Sequence, residues 1–371
     1  MRVSNINREI LRQTTESLDQ ALFVKFPKLA AWLDGTITPT FKQLINYAKT
    51  VDIPFGYFFL EKMPIQETQI PHYRTVKEEE EVVPSKNLTT VINMMEARQI
   101  WAKDLLLEYG TEPLTFAGKY KTQDPIKVVV QAIYTLLGIE SKTWAGKMPT
   151  WQKAFKYLVE QTEKAGIFVI VNGVVGNNTH RTLQVEEFRG FVLYDEIAPF
   201  VFVNGKDAIA GRIFTLIHEI THVLIGESAS FDFSLVDKHS NKIEQFCNQV
   251  AADFLVPKEL LKNYYEDGNY EVLARKFKVS QVVIARRLLE LKMIDKQQFF
   301  NFYSHYKNQK NTTKGGKGGS FYSSVPYRVS NRFFELVNTS LLQEKIRPTD
   351  AFRLTGLKAK TYDIYLKKIK E

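Results

Sequence analysis

The stretch "FTLIHEITHVLIG", which runs from Phe214 to Gly226, joins the apolar spacing of a helix to three ionisable side chains. Apolar residues recur there at helical intervals, which predicts a helix buried in the core. His218, Glu219 and His222 lie inside that helix. An unpaired carboxylate is costly to remove from water, so the sequence predicts a compensating cation beside the helix.

The pattern HExxH indicates how these three side chains act together. Residues four positions apart lie about one turn apart on a helix, so the imidazoles of His218 and His222 can face one ion from the same side. Glu219 points in a neighbouring direction, where it can reach a metal-bound water without filling a coordination position. Imidazole and carboxylate groups suit Zn²⁺, and a catalytic zinc site keeps one position open for water. We therefore predict that His218 and His222 bind zinc and that Glu219 is the catalytic general base.

The third zinc ligand is expected on the next predicted helix. Ile225 and Ser228 stand where the metzincin extension of the motif requires glycine and histidine, so that class is excluded. Glu244 opens the helical stretch "EQFCNQVAADFLVP" and is the predicted ligand, because rigid sites favour helices over loops. Asp253, further along this helix, is a weaker candidate. The remaining candidates are the loop residues Asp232, Asp237 and His239 and the thiol of Cys247.

Three further side chains are candidates for supporting the reaction. Asn248 lies one helical turn beyond Glu244 and is placed to hold that carboxylate or a histidine. His239 in the loop, or Tyr194 near the end of a strand, can donate a hydrogen bond to the oxyanion of the reaction. The sequence leaves the choice between His239 and Tyr194 open.

Three short segments before the HExxH helix predict β-strands. They are "GIFVIV", "FRGFVLYD" and "PFVFVNG", which are rich in β-branched and aromatic residues and are bounded by turn-forming residues. The predicted fold is α+β and mostly helical, with a small three-stranded sheet beside the HExxH helix in a zincin-like minimal peptidase domain. Helical domains that resemble helix-turn-helix units flank that domain. A substrate peptide is expected to pair with the strand at "FRGFVLYD".

Composition and turn residues divide the chain into segments with predicted boundaries. Gly35 and Gly110 are predicted to end helices, Pro257 to stop another, and Ser280 to cap the start of one. The segments are a unit of short helices at 1–62, a linker at 63–84, a helical connecting region at 85–158, the zinc metallopeptidase domain at 159–258, a helix-turn-helix-like domain at 259–306, a flexible Gly and Lys linker at 307–326, and a C-terminal helical tail at 327–371.

Composition also limits the location of the protein. The chain is 44% hydrophobic and 25% charged, which is enough apolar material for a buried core. No apolar run approaches the ~18 residues needed to cross a bilayer, and the first residues lack the apolar core of a signal peptide. The single cysteine, Cys247, agrees with a reducing compartment. We therefore predict a cytoplasmic protein without a membrane partner.

The charge balance makes DNA a second candidate partner. The formal net charge is +9, with 50 Lys and Arg against 41 Asp and Glu, which modestly favours an anionic partner. The N-terminal helices and the stretch "LARKFKVSQVVIARRLL" both have the character of helix-turn-helix units. The candidate DNA contacts are Lys25, Lys28, Gln281, Arg286 and Arg287.

Three separated segments, in the right order, resemble the ImmA/IrrE-type metallopeptidase domain. They are "RGFVLYDEIAPFVFVN", "RIFTLIHEITHVLIGES" and "IEQFCNQVAADFLVP". Upstream, "AAWLDGTITPTFKQLINYAKTVDIPFGYFFL" resembles the later helices of an XRE-type helix-turn-helix. The stretch "IPHYRT", followed by "NLTTVINMMEARQIWAKDLL", resembles the segment that joins the helix-turn-helix to the peptidase domain in long members of the family. The chain departs at Asp253, where many members have glutamate, and before "AAWLDG", where a well-formed recognition helix is lacking.

The resemblance implies a zinc-dependent endopeptidase that cleaves a repressor in bacterial or phage regulation, encoded by a mobile element or a stress-response system. It also implies that His218, His222 and Glu244 bind the zinc and that Glu219 is the general base. Two alternatives remain open. One is a DNA-binding transcriptional regulator with a structural or inactive peptidase domain, and the other is a fused antitoxin-like binding protein.

Overall fold

A computed structural model of the chain describes residues 2–3, 5–16, 21–51, 53, 55–62, 84–227, 229–231, 242–266, 268–310 and 327–370. The chain divides into two compact units, Met1–Gln69 and Ile70–Glu371. The predicted linker at 63–84 lies outside the described residues except for Pro84. Of the predicted linker at 307–326, residues 307–310 are helical, so its predicted start is wrong, and the rest lies outside the described residues. Within the described ranges, no helix combines the length and the apolar character that crossing a membrane requires.

The N-terminal unit is built from short helices around an aromatic core. Its elements are α1 (Arg8–Glu16), α2 (Ala21–Lys25), α3 (Leu29–Asp34), α4 (Phe41–Val51) and a 3₁₀-helix (Phe55–Phe59). The buried hydroxyl of Tyr47 lies 3.0 Å from that of Thr14 and 2.8 Å from that of Thr15. Gly35 ends α3 in the left-handed region at φ 85°, as predicted. That this unit is an XRE-type helix-turn-helix stays a prediction.

The second unit begins with helices that precede its sheet. They are α5 (Lys86–Glu108), α6 (Ile126–Leu136), α7 (Trp144–Lys147) and α8 (Trp151–Lys164). Ser85 caps α5 by accepting a hydrogen bond from the backbone N–H of Leu88. Gly110 follows the end of this helix with φ 71°, which confirms the predicted stop. Gln99 of α5 donates to the carbonyls of Leu193 and Ala198, and so ties the helix to the sheet.

The main sheet contains the three predicted strands. The strands of the unit are β1 (Phe168–Asn172), β2 (Val174–Val175), β3 (Asn178–Thr182), β4 (Gly190–Leu193), β5 (Phe200–Asn204) and β6 (Ala229–Phe231). Among the described residues, β1, β5, β4 and β6 form one sheet in that order, while β2 and β3 form a separate hairpin. β1 runs parallel to β5, and β4 runs antiparallel to both of its neighbours.

The sheet corrects one expectation about substrate binding. The strand at "FRGFVLYD" contains β4, which was expected to offer a free edge to a peptide. In the structure β5 pairs with one edge of β4 and the short β6 pairs with the other, so that the expectation is wrong. Backbone groups already paired within a sheet cannot pair with an added strand.

The strands bury both faces because their side chains alternate between two cores. Valines such as Val169, Val201 and Val203 face a core shared with α8 and with the HExxH helix. Phenylalanines such as Phe168 and Phe202 face a second core shared with α5 and the C-terminal helices. This two-sided burial explains why the strand segments read as continuous apolar runs.

The remaining helices of the unit follow the sheet. They are α9 (Ile209–Ile225), α10 (Lys242–Leu255), α11 (Lys258–Tyr264), α12 (Tyr270–Phe277), α13 (Gln281–Glu290), α14 (Lys296–Lys310), α15 (Asn331–Leu342), α16 (Pro348–Thr355) and α17 (Ala359–Lys370). Pro257 follows the end of α10, and Ser280 caps α13 by accepting from the N–H of Val283, as predicted. Helices α12 and α13 contribute Phe277 and Ile284 to the same core as α9, rather than to a core of their own.

The C-terminal helices cover the phenylalanine face of the sheet. The ring of Phe333 on α15 meets Phe168 and Phe200 edge-on, with centroids 6.2 and 5.8 Å apart. The buried guanidinium of Arg98 on α5 donates to the carbonyls of Leu354 and Thr355 at the end of α16. A cation at that end of a helix interacts favourably with the helix dipole. The tail therefore belongs to the packed body of the second unit.

Candidate metal centre

Helix α9 places two histidines in the interior of the second unit. Every residue from Ile213 to Ile225 is buried, because the helix lies between the sheet and its neighbouring helices. His218 and His222 share one side of the helix, and their Nε2 atoms lie 3.0 Å apart. Gly226 ends the helix in the left-handed region, at φ 78°.

Helix α10 brings the predicted third ligand to these imidazoles. Oε2 of Glu244 lies 3.1 Å from Nε2 of His218, and Oε1 lies 3.3 Å from Nε2 of His222. Both histidine side chains are fully buried, whereas the Glu244 side chain is 21% exposed. The cluster is thus closed by protein on the histidine side and reaches solvent beside the carboxylate.

The arrangement fits a tetrahedral zinc ion. Each of the three residues offers one ligand atom, and these atoms all lie within 4.8 Å of one another. Two ligand atoms bound at tetrahedral zinc lie about 3.3 Å apart, given metal–ligand distances of about 2.0–2.1 Å. The separations of 3.0, 3.1 and 3.3 Å are close to that value. Two nitrogens and one carboxylate also match the ligand set of catalytic zinc sites, which leave a fourth position open.

Local electrostatics favour the metal-binding forms of the side chains. Burial lowers the pKa of His218 to about 4, so its imidazole is neutral at neutral pH. Burial opposes ionisation of the Glu244 carboxyl, but hydrogen bonds from His218 and His222 outweigh it and lower the pKa. A neutral imidazole and an ionised carboxylate are the forms that bind a metal.

The carboxyl group of Glu219 lies buried beside the three candidate ligands. Its side chain is fully buried, and neither of its oxygens has a hydrogen-bond partner among the described residues. Burial, and then the charge of Glu244, raise the pKa of this group well above its ordinary value. A buried carboxyl without partners needs a proton or a nearby cation, which is the situation expected for a general base beside a metal.

Gly190 is a functional residue that sequence reasoning missed. A Cβ atom at this position of β4 would lie 3.0 Å from Oε1 of Glu219, 2.8 Å from the carbonyl oxygen of Phe202 and 2.5 Å from Cγ2 of Thr215. The missing side chain is therefore what lets α9 bring Glu219 against the strand. An isolated glycine within an apolar strand pattern was the available signal, because it marks a close approach.

Asn248, Tyr194 and His239 are the residues that were predicted to support the reaction. Oδ1 of Asn248 is buried without a hydrogen-bond partner among the described residues, so the holding role of Asn248 stays a prediction. The hydroxyl of Tyr194 lies against Gly118 and Gly226, at the C-terminal end of α9. The other oxyanion candidate, His239, lies outside the described residues, as do the alternative ligands Asp232 and Asp237.

Two alternative ligands are not brought into the cluster. Cys247 is fully buried, and burial followed by the charges of Glu244 and Glu219 raises the pKa of its thiol, so it is held as the neutral thiol. Asp253 forms an ion pair with Arg287 on α13. The weaker prediction that Asp253 binds the metal is therefore wrong.

The same ion pair corrects one of the candidate DNA contacts. Only 7% of the Arg287 side chain is exposed, and its guanidinium also pairs with Glu290 at 2.8 Å and donates to the carbonyl of Val256. A guanidinium held in this way cannot reach a phosphate, so the prediction for Arg287 is wrong. The other candidates stay predictions: Lys25, Lys28 and Arg286 are exposed, and Gln281 is half-buried.

Comparison with known families agrees with this geometry. Residues 162–289 match the model of the M78 peptidases, described as the IrrE N-terminal-like domain. Residues 329–368 match a domain of unknown function, DUF8813. A search of curated proteins found no match to the chain. The first match contains His218, His222 and Glu244 and extends through α12 and most of α13. Over residues 162–289, the chain is therefore similar to the IrrE N-terminal-like domain of the M78 peptidases, which supports the resemblance to the ImmA/IrrE-type family.

Proposed function

We propose that the protein is a zinc-dependent endopeptidase that hydrolyses a peptide bond in a repressor-like protein. The observation that carries the proposal is the convergence of three ligand groups beside Glu219. The match to the M78 peptidases supports hydrolysis as the reaction class. A buried carboxyl next to a metal site has little structural reason to exist unless it handles a proton.

The residues of the site have separate roles in the proposed reaction. His218, His222 and Glu244 would hold the ion, and Glu244, whose side chain is 21% exposed, is the ligand on the solvent side. Bound zinc supplies a Lewis acid that polarises a carbonyl group and makes water more acidic. Asn248, one helical turn beyond Glu244, is placed to hold that carboxylate or a histidine.

Glu219 takes the proton from the attacking water and transfers it to the leaving group. Its carboxylate accepts that proton, and the surrounding apolar side chains keep it from bulk solvent. The protonated Glu219 then donates to the nitrogen of the leaving amine, which cannot depart as an anion. Gly190 supports both steps, because it allows this carboxyl to lie against β4.

The substrate class follows from the resemblance to ImmA/IrrE-type peptidases, which implies cleavage of a repressor. We place the reaction in the cytoplasm, where transcriptional repressors act and where the buried thiol of Cys247 would remain reduced.

The test combines metal analysis with a cleavage assay. The purified chain is incubated with the product of an adjacent repressor-like gene, with and without a chelator. We expect bound zinc at one ion per chain and cleavage that stops on chelation. Glu219→Gln should keep the zinc and the binding of the repressor but lose cleavage. Glu160→Gln, a similar change on α8 at a partly exposed ion pair with Lys156, should behave like the wild type.

Two results would contradict the proposal. Wild-type protein that binds no zinc would remove the basis for the chemistry. Zinc binding and repressor binding without cleavage, identical in wild type and Glu219→Gln, would instead indicate a binding protein with a structural metal site.

A second candidate function is DNA binding by the N-terminal unit, and the two functions are compatible. Lys25 and Lys28 are exposed there and lie close together in the sequence. If they contact phosphates, the affinity for duplex DNA falls steeply as salt is added, and Lys25→Gln with Lys28→Gln lowers the slope of that dependence. Salt-independent binding, or no binding, would exclude this function.

A further inference from the structure

Helix α14 has an unusual composition. Its 15 residues, "KQQFFNFYSHYKNQK", contain three lysines and five aromatic side chains but no Asp or Glu. The acid-free run continues in the sequence from Lys296 to Phe334 and contains seven Lys and Arg residues. The net charge of the whole chain is +9, so this run accounts for most of the excess positive charge.

One face of α14 carries two aromatic rings between two lysines. Lys296, Phe300, Tyr303 and Lys307 follow the spacing that places side chains on a single side of a helix. Both lysines are exposed, the Phe300 side chain is 53% exposed, and Tyr303 is half-buried. From the first lysine to the last, the face is about 16 Å long at a rise of ~1.5 Å per residue. We refer to these four residues as the α14 face.

The packing of the helix holds this face outward. On another side of α14, the ring of Phe302 stacks on Tyr270 of α12, with centroids 4.3 Å apart. Phe299 packs against the core and lies nearly parallel to Tyr303, with an interplanar angle of 10°. Asp295, the acidic residue next to this helix in sequence, accepts a hydrogen bond from the N–H of Gln298 as a cap. Its carboxylate therefore stabilises the start of the helix.

We infer that the α14 face is a binding surface for single-stranded nucleic acid. Proteins that bind single strands combine lysines or arginines along the phosphate backbone with aromatic rings on which the bases stack. The α14 face supplies both, with two rings between two lysines. No acidic side chain within α14 repels the phosphates.

Two other anionic partners fit this face less well. A helix that lies in a membrane surface separates its apolar face from a cationic polar face. On α14 the lysines and the exposed rings share one face, so inserting the rings would bury the charges. Duplex nucleic acid would engage the lysines, but its stacked bases would leave the ring of Phe300 without a partner.

The experiment measures binding of fluorescein-labelled single-stranded DNA and RNA of about 12 nucleotides by anisotropy, using the full chain. We expect binding by the wild type that weakens with added salt. Phe300→Ala should weaken it about tenfold through lost stacking. Lys296→Gln with Lys307→Gln should weaken it and reduce the slope of the salt dependence.

Matched variants separate this surface from charge and apolarity in general. Lys142→Gln with Lys147→Gln removes two exposed lysines elsewhere, and Leu342→Ala removes a side chain that is 72% exposed. Both should bind like the wild type. Glu219→Gln should also bind normally, because this surface does not depend on the peptidase site. Circular dichroism and the melting temperature check that each variant is folded.

The inference is overturned by any of three results. One is the absence of oligonucleotide binding by the wild type. Another is binding that is unchanged by Phe300→Ala and by the double lysine variant, or that is lost only in Lys25→Gln with Lys28→Gln. The third is equal affinity for duplex DNA in the protein that carries Lys25→Gln with Lys28→Gln, or binding to vesicles of anionic phospholipid without binding to oligonucleotides.

Discussion

The carboxylate of Glu244 lies 3.1 Å from the imidazole of His218, although the two residues are 26 positions apart in the sequence. The contact joins the first turn of α10 to the middle of α9 inside a common apolar core. Packing of the two helices therefore brings the three ligand groups together.

The first prediction concerns metal affinity. Glu244→Gln removes the charged oxygen ligand while retaining the shape of the side chain, so zinc affinity should fall by more than about 100-fold. Metal analysis after dialysis against a zinc buffer measures the loss. Asp253→Asn is the control on the same helix, because Asp253 pairs with Arg287 and should leave zinc content unchanged. Equal zinc content in both variants would remove Glu244 from the ligand set.

The second prediction concerns zinc as a source of stability. A ligand that binds only the folded state stabilises it by an amount that grows with its concentration above Kd. Chelation should therefore lower the melting temperature of the wild type. The same chelator should leave Glu244→Gln almost unaffected, because that variant has little bound metal to lose. Identical shifts in the two proteins would show that the chelator acts elsewhere.

The third prediction concerns Gly190, the glycine that lies against the carboxyl group of Glu219. Gly190→Ala introduces a methyl group 2.8 Å from a backbone oxygen and 3.0 Å from Glu219, so β4 and α9 must separate. Such overpacking costs about 1–3 kcal/mol of unfolding free energy, and peptidase activity should fall with the displacement of Glu219. Urea unfolding and the cleavage assay measure the two effects.

Gly146→Ala is the matched control for that substitution. The nearest atom to a Cβ at Gly146 is a backbone oxygen at 3.9 Å, which is an ordinary contact. This variant should keep both its stability and its activity. A Gly190→Ala protein with wild-type stability and activity would show that the strand accommodates the methyl group at no cost.

The fourth prediction concerns the buried ion pair that replaces the expected DNA contact. Arg287→Met leaves Asp253 without its partner in a site where only 19% of that side chain is exposed. Breaking a buried pair costs about 3–5 kcal/mol. Asp253→Asn in the same protein should recover part of the loss, because it removes the uncompensated charge.

Arg275→Met provides the comparison for that prediction. Arg275 pairs with Glu271 on α12, but 67% of the arginine side chain is exposed. Exposed pairs contribute about 0–1 kcal/mol, so this variant should be close to the wild type in urea unfolding. A loss of equal size in the two variants would argue against a special role for the Asp253 pair.

The fifth prediction concerns pH. Burial raises the pKa of Glu163 from 4.5 to about 7, although Ser330 at the start of α15 donates a hydrogen bond to its carboxylate. The folded state thus binds this proton more tightly than the unfolded state. The stabilisation is fully present below pH ~4.5 and is lost as the pH rises through about 7.

Substitution of this residue gives a direct test of that sign. Glu163→Gln cannot titrate, so the unfolding free energy of the wild type relative to this variant should decrease by about 3 kcal/mol between acidic and neutral pH. Glu160→Gln, on the same helix but at a partly exposed position, should show no comparable change. A constant difference across that pH range would contradict the burial of an uncharged carboxyl at Glu163.

The sequence alone indicated the elements of the site because the relevant signals are local. HExxH defines one face of α9, and the position of Glu244 at the start of a second helical pattern points to its role as a ligand. Caps such as Ser280 and stops such as Gly110 act within a few residues of their own position, which explains why these helix boundaries were predicted. The three main strands were also recognisable, since buried strands carry runs of apolar residues.

Contacts between residues that are far apart in the sequence depend on the tertiary structure. The approach of Gly190 to Glu219, the capture of Arg287 by Asp253 and the packing of Phe333 against the sheet all join segments far apart in the sequence. The local sequence pattern around a side chain does not depend on which distant residue that side chain contacts. Residue type and spacing are local properties, so they identify which side chains can bind a metal, transfer a proton or cap a helix. The packing of α9, α10 and the sheet decided which of those groups form a site, because proximity depends on how the whole core is filled.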